Sequence, residues 1–306
     1  MQQKPEEEEA DIGSRVLIDE HLRLSHVVGQ DEAVKSLRGL VKRIVHADIF
    51  DLWAVDKPKA LALTGPPGVG KTFSIRALAN EVKCPLMELC YEDIASHLYD
   101  ESIRRLSSFK KQVEAISDLE GHVLILIDEA DSFFQSRFDS DAHAADKKKT
   151  NFFLRWIDGD LEGATNFTII AASNAWENVD PALKRSGRFV EIKYDSLSPE
   201  DVEKALLVHI DLAEKNAGRQ LFKKFKMGGL TLPEGISGAD VKEMVSEACL
   251  DKALFFLKEF QKKDNKRPPD PADKEYLITP DELKEIALKR TEGLANKKKR
   301  VGFARN

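Results

Sequence analysis

Gly65-Pro66-Pro67-Gly68-Val69-Gly70-Lys71-Thr72 is the stretch that decides the fold of this 306-residue sequence. It satisfies the pattern G-x-x-x-x-G-K-[ST], in which glycines let the backbone curl so that successive N–H groups point at phosphate oxygens. Lys71 can then reach the β- and γ-phosphates, and the Thr72 hydroxyl can ligate Mg²⁺. At the average glycine usage of about 7% of residues in proteins, a chance match in a chain of this length has odds of roughly 1%. The stretch therefore predicts a nucleoside triphosphate site in which residues 67–72 hold the phosphates.

The residues around this loop predict an α/β fold. Ala60–Thr64 has the pattern of a buried strand that enters the loop, and residues 72–82 that of the helix that leaves it. Val123–Ile127 and residues 168–172 are apolar runs of the kind found inside a parallel sheet covered on both faces. Strands that alternate with helices imply right-handed βαβ units, and hence a doubly wound parallel sheet.

The remaining residues predict the domain organisation. Residues 1–22 are acidic, and we expect a flexible tail because like charges repel and bury nothing. The α/β domain is expected at 23–195 and a small α-helical domain at 196–290, where helix-start patterns occur near Ser198, Gly238 and Pro280. Residues 291–306 are expected to form a basic tail.

Composition excludes several classes of protein. There are 53 acidic and 47 basic residues, so the net charge is −6, which argues against attraction of the whole surface to nucleic acid or anionic lipid. No stretch approaches the ~20 apolar residues that span a bilayer. The acidic start differs from a secretory signal, and the three cysteines lack a C-x-x-C pair. We expect a cytoplasmic protein with no membrane span.

Polar residues that follow the strong strands are the catalytic candidates. Asp128 ends one strand, where an acid of such proteins holds Mg²⁺, and the adjacent Glu129 could polarise the attacking water as a general base. Asn174 ends another strand at the same edge and could orient that water. The alternatives are a strand that simply stops at a charged turn and an ordinary turn asparagine.

Arg185 and Arg188 form a further candidate pair. They lie three residues apart after a turn, in the segment Asp180-Pro-Ala-Leu-Lys-Arg185-Ser-Gly-Arg188-Phe189. Core packing does not explain two guanidinium groups in this position. The alternative is a solvated basic turn.

In their order, these motifs resemble those of the AAA+ ATPases, and specifically the AAA clade with the pattern D-x-A-L-x-R-x-G-R-F. The resemblance covers about residues 24–289. It implies a P-loop NTPase fold whose small helical domain is a lid, with ATP and Mg²⁺ as cofactors, and a homo-oligomeric ring that is usually a hexamer. Asn174 matches the position called sensor 1. Arg185 and Arg188 match arginine fingers, which act on the nucleotide of the neighbouring subunit.

The same resemblance implies further contacts. Val28 and Gly29 lie in a segment that resembles the family's adenine-side entry, and Gly238 and Ala239 resemble its adenine contact on the lid. The central-pore loop, which grips a protein substrate, matches Leu98 and Tyr99. There the aromatic is shifted by one place, so ordinary packing is the alternative. Residues 135–149, which end in three lysines, match the second pore loop, with a solvated charged loop as the alternative.

The sequence therefore favours a ring-forming ATPase that remodels, unfolds or disassembles protein substrates, with a substrate protein or adaptor as partner. A DNA-linked AAA+ loader or recombination helper is the second hypothesis, and a nucleotide-gated scaffold is the third. The four glutamates at 6–9 could recruit an adaptor or only solvate a tail. The basic residues 297–300 could contact nucleic acid or acidic partners, or form a frayed terminus. The chain is expected to leave no room for a large N-terminal recruiting domain or a fused peptidase.

Overall fold

A computed structural model describes residues 12–55, 57–94, 101–134, 144–159, 166–224, 232–233, 235–262 and 276–303. Two compact units divide the chain. The first comprises Met1–Leu24, Asp31–Pro67 and Lys71–Tyr194, and the second comprises Ser25–Gln30, Gly68–Gly70 and Asp195–Asn306, over the residues described.

The first unit contains six strands and seven α-helices among the residues that the structure describes. The strands are β1 (Ser14–Arg15), β2 (Ala60–Thr64), β3 (Leu86–Glu88), β4 (Val123–Ile127), β5 (Phe167–Ser173) and β6 (Phe189–Lys193). The helices are α1 (Asp31–Val45), α2 (Ala47–Leu52), α3 (Lys71–Val82), α4 (Tyr91–Ile94), α5 (Glu101–Glu120), α6 (Ala130–Phe133) and α7 (Ala144–Asp158).

The sheet places the predicted site residues along one edge. Its order is β1-β3-β4-β5-β2-β6, and every pairing is parallel except that of β1 with β3. Thr64 at the end of β2 pairs with Ser173 at the end of β5, and Ile127 at the end of β4 pairs with Ala171. The carboxyl ends of these three strands therefore meet, as expected for a doubly wound sheet. The predicted α/β fold is confirmed.

Burial explains why the three central strands could be predicted from the sequence. Every residue of β2, β4 and β5 is buried, because helices cover both faces of a parallel sheet. An aromatic cluster belongs to the core of this unit. Four of its ring contacts are edge to face and two are tilted, and it contains Phe133, Phe134, Phe153, Trp156, Phe167 and Phe189.

The range predicted for the flexible N-terminal tail, residues 1–22, is too long. Residues 1–11 lie outside the described residues, but β1 is paired in the sheet, and Ile12 and Leu22 are buried. Arg15 forms two hydrogen bonds of 2.6 and 2.7 Å with the Glu120 carboxylate. The Asn80 amide donates to three carbonyl groups of residues 19–22. The prediction was wrong for residues 12–22. The acidic composition at residues 6–9 does not continue into this segment, where buried apolar side chains and strand pairing fix the chain.

The second unit is helical, with α8 (Pro199–Ala217), α9 (Gly238–Lys262) and α10 (Pro280–Phe303). The Ser198 hydroxyl accepts a hydrogen bond from the Asp201 N–H at 3.1 Å, which caps α8 in the manner that the sequence indicated. Apolar side chains of the three helices form one core, among them Leu206, Met244 and Leu283.

The C-terminal boundary also differs from the prediction. The basic tail was expected to begin at residue 291, but α10 continues to Phe303. Lysine, arginine, alanine and leucine are good helix formers, so the basic composition of this segment favours helix continuation. No helix in the part of the chain that the structure describes is both long and apolar enough to cross a membrane.

Candidate nucleotide-binding site

The glycine-rich loop leaves β2 and leads into α3, and its first residue must be glycine. Gly65 has φ +146°, and a Cβ atom there would lie 2.2 Å from the carbonyl oxygen of Tyr194. The loop then delivers Lys71, which is only 7% exposed, to the carboxyl end of the sheet. The loop lies between a strand and a helix, as the sequence predicts.

The Lys71 ammonium group is fully hydrogen-bonded. It donates to the carbonyl oxygens of Gly65 (2.7 Å) and Pro66 (2.6 Å) and to Oδ1 of Asn174 (2.7 Å). Burial lowers the pKa of Lys71, whereas the charges of Asp128 and Asp131 raise it. An ammonium group has three donors, so an incoming anion must replace some of these oxygens.

Thr72 and Asp128 meet next to this lysine. The Thr72 hydroxyl donates to Oδ2 of Asp128 at 2.8 Å. Thr72 is the second residue of α3, and Asp128 follows β4 directly. A hydroxyl and a carboxylate are oxygen ligands of the type that Mg²⁺ prefers, so these two residues fit the metal role that the sequence assigned to them.

Glu129 has an unusual backbone. Its φ and ψ are 50° and 46°, in the left-handed region, and its side chain makes no capping hydrogen bond to α6. For an L-residue this conformation costs roughly 1–2 kcal/mol. Such strain persists where the surroundings impose it and clusters at functional sites. The exposed Glu129 side chain stands beside Asp128, where the sequence placed a general base.

Asn174 reaches the site with help from a residue that was given no role at the sequence level. Oδ1 of Asp131 accepts hydrogen bonds from the Ser173 hydroxyl (2.6 Å) and from the Asn174 N–H (3.3 Å). Asp131 lies on α6, 42 residues before Ser173. Its only sequence signal is its position three residues after Asp128.

The two predicted arginine fingers have different surroundings. Arg188 forms a bidentate pair with Asp158, with bonds of 3.0 and 2.6 Å, and donates to the Ala182 carbonyl oxygen at 2.6 Å. Arg185 is exposed, and its side chain makes no hydrogen bond or ion pair to any residue within the described ranges. Only Arg185 therefore has a guanidinium group that is available without breaking an internal contact.

Several residues predicted on the adenine side belong to the second unit. The second unit includes Gly68–Gly70 and Ser25–Gln30. The latter range contains Val28 and Gly29. A Cβ atom on Gly238 would lie 2.7 Å from the carbonyl oxygen of Gly68. Ser237 and Asp240 cap the start of α9 through bonds of 2.6 to 3.3 Å. The second unit thus brings Gly68 against Gly238, next to Ala239.

Comparison with known proteins agrees with this geometry. A family model described as "ATPase family associated with various cellular activities (AAA)" matches residues 61–197. Protein SAV of Sulfolobus acidocaldarius is 32% identical over 235 residues, which are 75% of this chain and 28% of that protein. This chain belongs to the AAA family of ATPases.

Other AAA relatives have different names. The 26S proteasome regulatory subunit 8 of Caenorhabditis elegans is 27% identical over 76% of this chain and 54% of that protein. The ATP-dependent zinc metalloprotease FtsH of Kosmotoga olearia is 27% identical over 88% of this chain and 41% of that protein. The chain therefore spans between 28% and 54% of the length of these three relatives.

The structure describes only some of the residues predicted to line the pore. Leu98, Tyr99 and residues 135–143 lie outside the described residues. Lys149, which was assigned to the second pore loop, lies on α7, is 3% exposed and places its ammonium 4.4 Å from the ring centre of Tyr91. It shares a helix face with the buried Phe153, four residues later. The loop assignment was wrong for residues 144–149, which form the start of α7.

Proposed function

We propose that this AAA ATPase hydrolyses ATP to ADP and phosphate with Mg²⁺ as cofactor. The observation that carries the proposal is the 2.8 Å contact between the Thr72 hydroxyl and the Asp128 carboxylate, at the strand edge where Lys71 also emerges. A metal ligand pair and a phosphate-binding lysine are thereby next to each other. This is the arrangement that phosphoryl transfer needs, because positioning and charge stabilisation supply most of its catalysis.

The chain's own residues have distinct tasks in this proposal. Bound Mg²⁺–ATP supplies the γ-phosphoryl group and the cation that neutralises its charge. Thr72 and Asp128 would hold the metal, and Lys71 exchanges its carbonyl partners for phosphate oxygens. Glu129 accepts a proton from the attacking water, and Asn174 orients that water. Val28, Gly29, Gly238 and Ala239 stay predictions for the adenine side.

Steady-state phosphate release tests this proposal. The Glu129→Gln variant should bind a fluorescent ATP analogue as the wild type does, while kcat falls at least about 10²-fold, the usual value of a general base. Lys71→Ala is the matched control for loss of binding. Turnover at the wild-type rate in Glu129→Gln would contradict the general-base role, and a wild type without turnover would refute the ATPase proposal.

We also propose that the ATPase works as a closed homo-oligomeric ring, expected to be a hexamer. Its support is Arg185, whose exposed guanidinium group is free to act on a neighbour. An arginine at the transferring phosphoryl group is worth about 10³–10⁵ in rate where it is known, and head-to-tail contacts close into rings. Specific ATPase activity should therefore rise with protein concentration and fall on dilution below the assembly range. A specific activity independent of concentration in demonstrably monomeric protein would overturn this.

Protein remodelling is the output we propose for hydrolysis. One relative is named as a proteasome regulatory subunit and another as an ATP-dependent metalloprotease, which favours a protein substrate or adaptor as partner. ATP-dependent loss of structure in a labelled substrate protein, absent with Glu129→Gln, would support it. DNA-stimulated turnover with steep salt dependence, and no action on proteins, would instead favour the nucleic-acid hypothesis.

We propose a cytoplasmic location on the basis of the cysteines. Cys84, Cys90 and Cys249 are free thiols, and burial raises the pKa of Cys84 to about 12. Free cysteines are typical of a reducing compartment. Fractionation of cells that express the tagged protein tests this, and recovery from an oxidising compartment would contradict it.

A further inference from the structure

The turn that follows β5 is fixed by one carboxylate. Oδ1 of Asp131 accepts from the Ser173 hydroxyl at 2.6 Å and from the Asn174 N–H at 3.3 Å. The Ser173 oxygen in turn accepts from the Ala175 N–H at 3.1 Å. Ser173 is 1% exposed, so these bonds are shielded from water at their centre. Asp131 therefore holds Ser173 and Asn174 directly, and Ala175 through the Ser173 hydroxyl.

This fixed turn leads directly to the phosphate-binding lysine. The Asn174 side chain, which is exposed, accepts from the Lys71 ammonium at 2.7 Å. A continuous chain of hydrogen bonds thus joins Asp131 to Lys71 through the backbone and side chain of Asn174.

We propose that Asp131 is a positioning residue for ATP hydrolysis, which holds the 173–175 turn so that the Asn174 amide stays where it can orient the attacking water. The inference rests on the proposed ATPase function and adds to it a residue that acts only through Asn174. Small displacements matter at such a site, since a misplacement of about 1 Å can cost ~10²-fold in rate.

The helix that carries Asp131 is anchored independently of this carboxylate. Phe133 and Phe134 are fully buried, and their ring centres lie 5.6 and 5.1 Å from that of Phe153. The Phe134 carbonyl oxygen accepts from the Asp180 N–H at 3.0 Å. Removal of the Asp131 carboxylate therefore leaves α6 in place and changes the 173–175 turn.

Two substitutions of Asp131 separate positioning from folding. Asp131→Ala removes the acceptor, and we expect kcat to fall about 10- to 100-fold while KM for ATP changes less than about threefold. Asp131→Asn keeps an amide oxygen that can accept from Ser173, and it should restore kcat to within about fivefold of the wild type. Ser132→Ala, one residue further along α6 and exposed, is the matched control and should behave as the wild type.

The outcomes are distinguishable from failure of the ATPase proposal. A wild type without turnover refutes that proposal, whereas normal kcat in Asp131→Ala with an active wild type refutes only the positioning role. A loss confined to KM, or Asp131→Asn as slow as Asp131→Ala, also overturns it. If Asp131→Ala does not fold by circular dichroism, Ser173→Ala replaces it. That variant should lower kcat several-fold at unchanged KM, and an unchanged kcat contradicts the role.

Discussion

Replacing Glu129 by glycine should make the protein more stable while it abolishes turnover. The residue has φ 50° and ψ 46°, its side chain is exposed, and it makes no capping bond to α6, so truncation removes strain and few contacts. Relief of the left-handed backbone is worth roughly 1–2 kcal/mol. The extra freedom of glycine in the unfolded chain offsets about 0.4–1 kcal/mol of this. We therefore expect a net gain of about 0.5–1 kcal/mol.

The matched control is Glu129→Ala, which removes the same side chain atoms beyond Cβ but keeps an L-residue at positive φ. The difference between the two variants isolates the backbone effect. Thermal unfolding followed by circular dichroism should give Glu129→Gly an apparent Tm about 1–4 °C above that of Glu129→Ala, given the usual 2–4 °C per kcal/mol for a unit of this size. A glycine variant equal to or less stable than the alanine variant would refute the strain reasoning.

Two further predictions concern stability. Asp158→Ala should lower the free energy of unfolding by about 1 kcal/mol, because it breaks the partly exposed bidentate pair with Arg188; urea unfolding measures this. Burial, with a contribution from Lys57, lowers the pKa of His122 to about 4. The unfolded chain binds this proton near pH 6.5, so stability should be complete above pH 6.5 and fall by about 1–3 kcal/mol toward pH 4. His122→Gln should flatten that slope, apart from the contribution of His209, whose pKa is also lowered to about 4.

Each of these predictions has a contrary result. Asp158→Asn keeps one acceptor and serves as the control, so an Asp158→Ala variant as stable as both wild type and Asp158→Asn would show that the pair with Arg188 contributes nothing. For His122, equal slopes of unfolding free energy against pH in wild type and His122→Gln would contradict the assigned pKa direction.

The sequence was most informative where burial is uniform along a strand. β2 and β4 have the predicted bounds Ala60–Thr64 and Val123–Ile127, since a central parallel strand is an unbroken apolar run. β6 was not singled out, because its exposed Val190 and Glu191 break the run at the edge of the sheet. β1 has only two residues and no periodicity to detect.

The sequence predicts only those site residues that lie close together along the chain. The glycine-rich loop and the acidic pair are contiguous, so their residue types alone predict their chemistry. The bond from Asp131 to Ser173 and the pair between Arg188 and Asp158 join residues 42 and 30 positions apart. No local pattern encodes such contacts, because the fold alone brings these side chains together.

Complementation between two inactive variants tests the central claim, that each ATP site is completed by Arg185 from a neighbouring copy. Arg185→Ala keeps Glu129, and Glu129→Gln keeps Arg185, so each alone should show little turnover. In an equal mixture, about a quarter of the interfaces in randomly assembled rings should combine both residues, and phosphate release should recover accordingly. A mixture as inactive as its components, or Arg185→Ala with wild-type turnover on its own, would contradict the account.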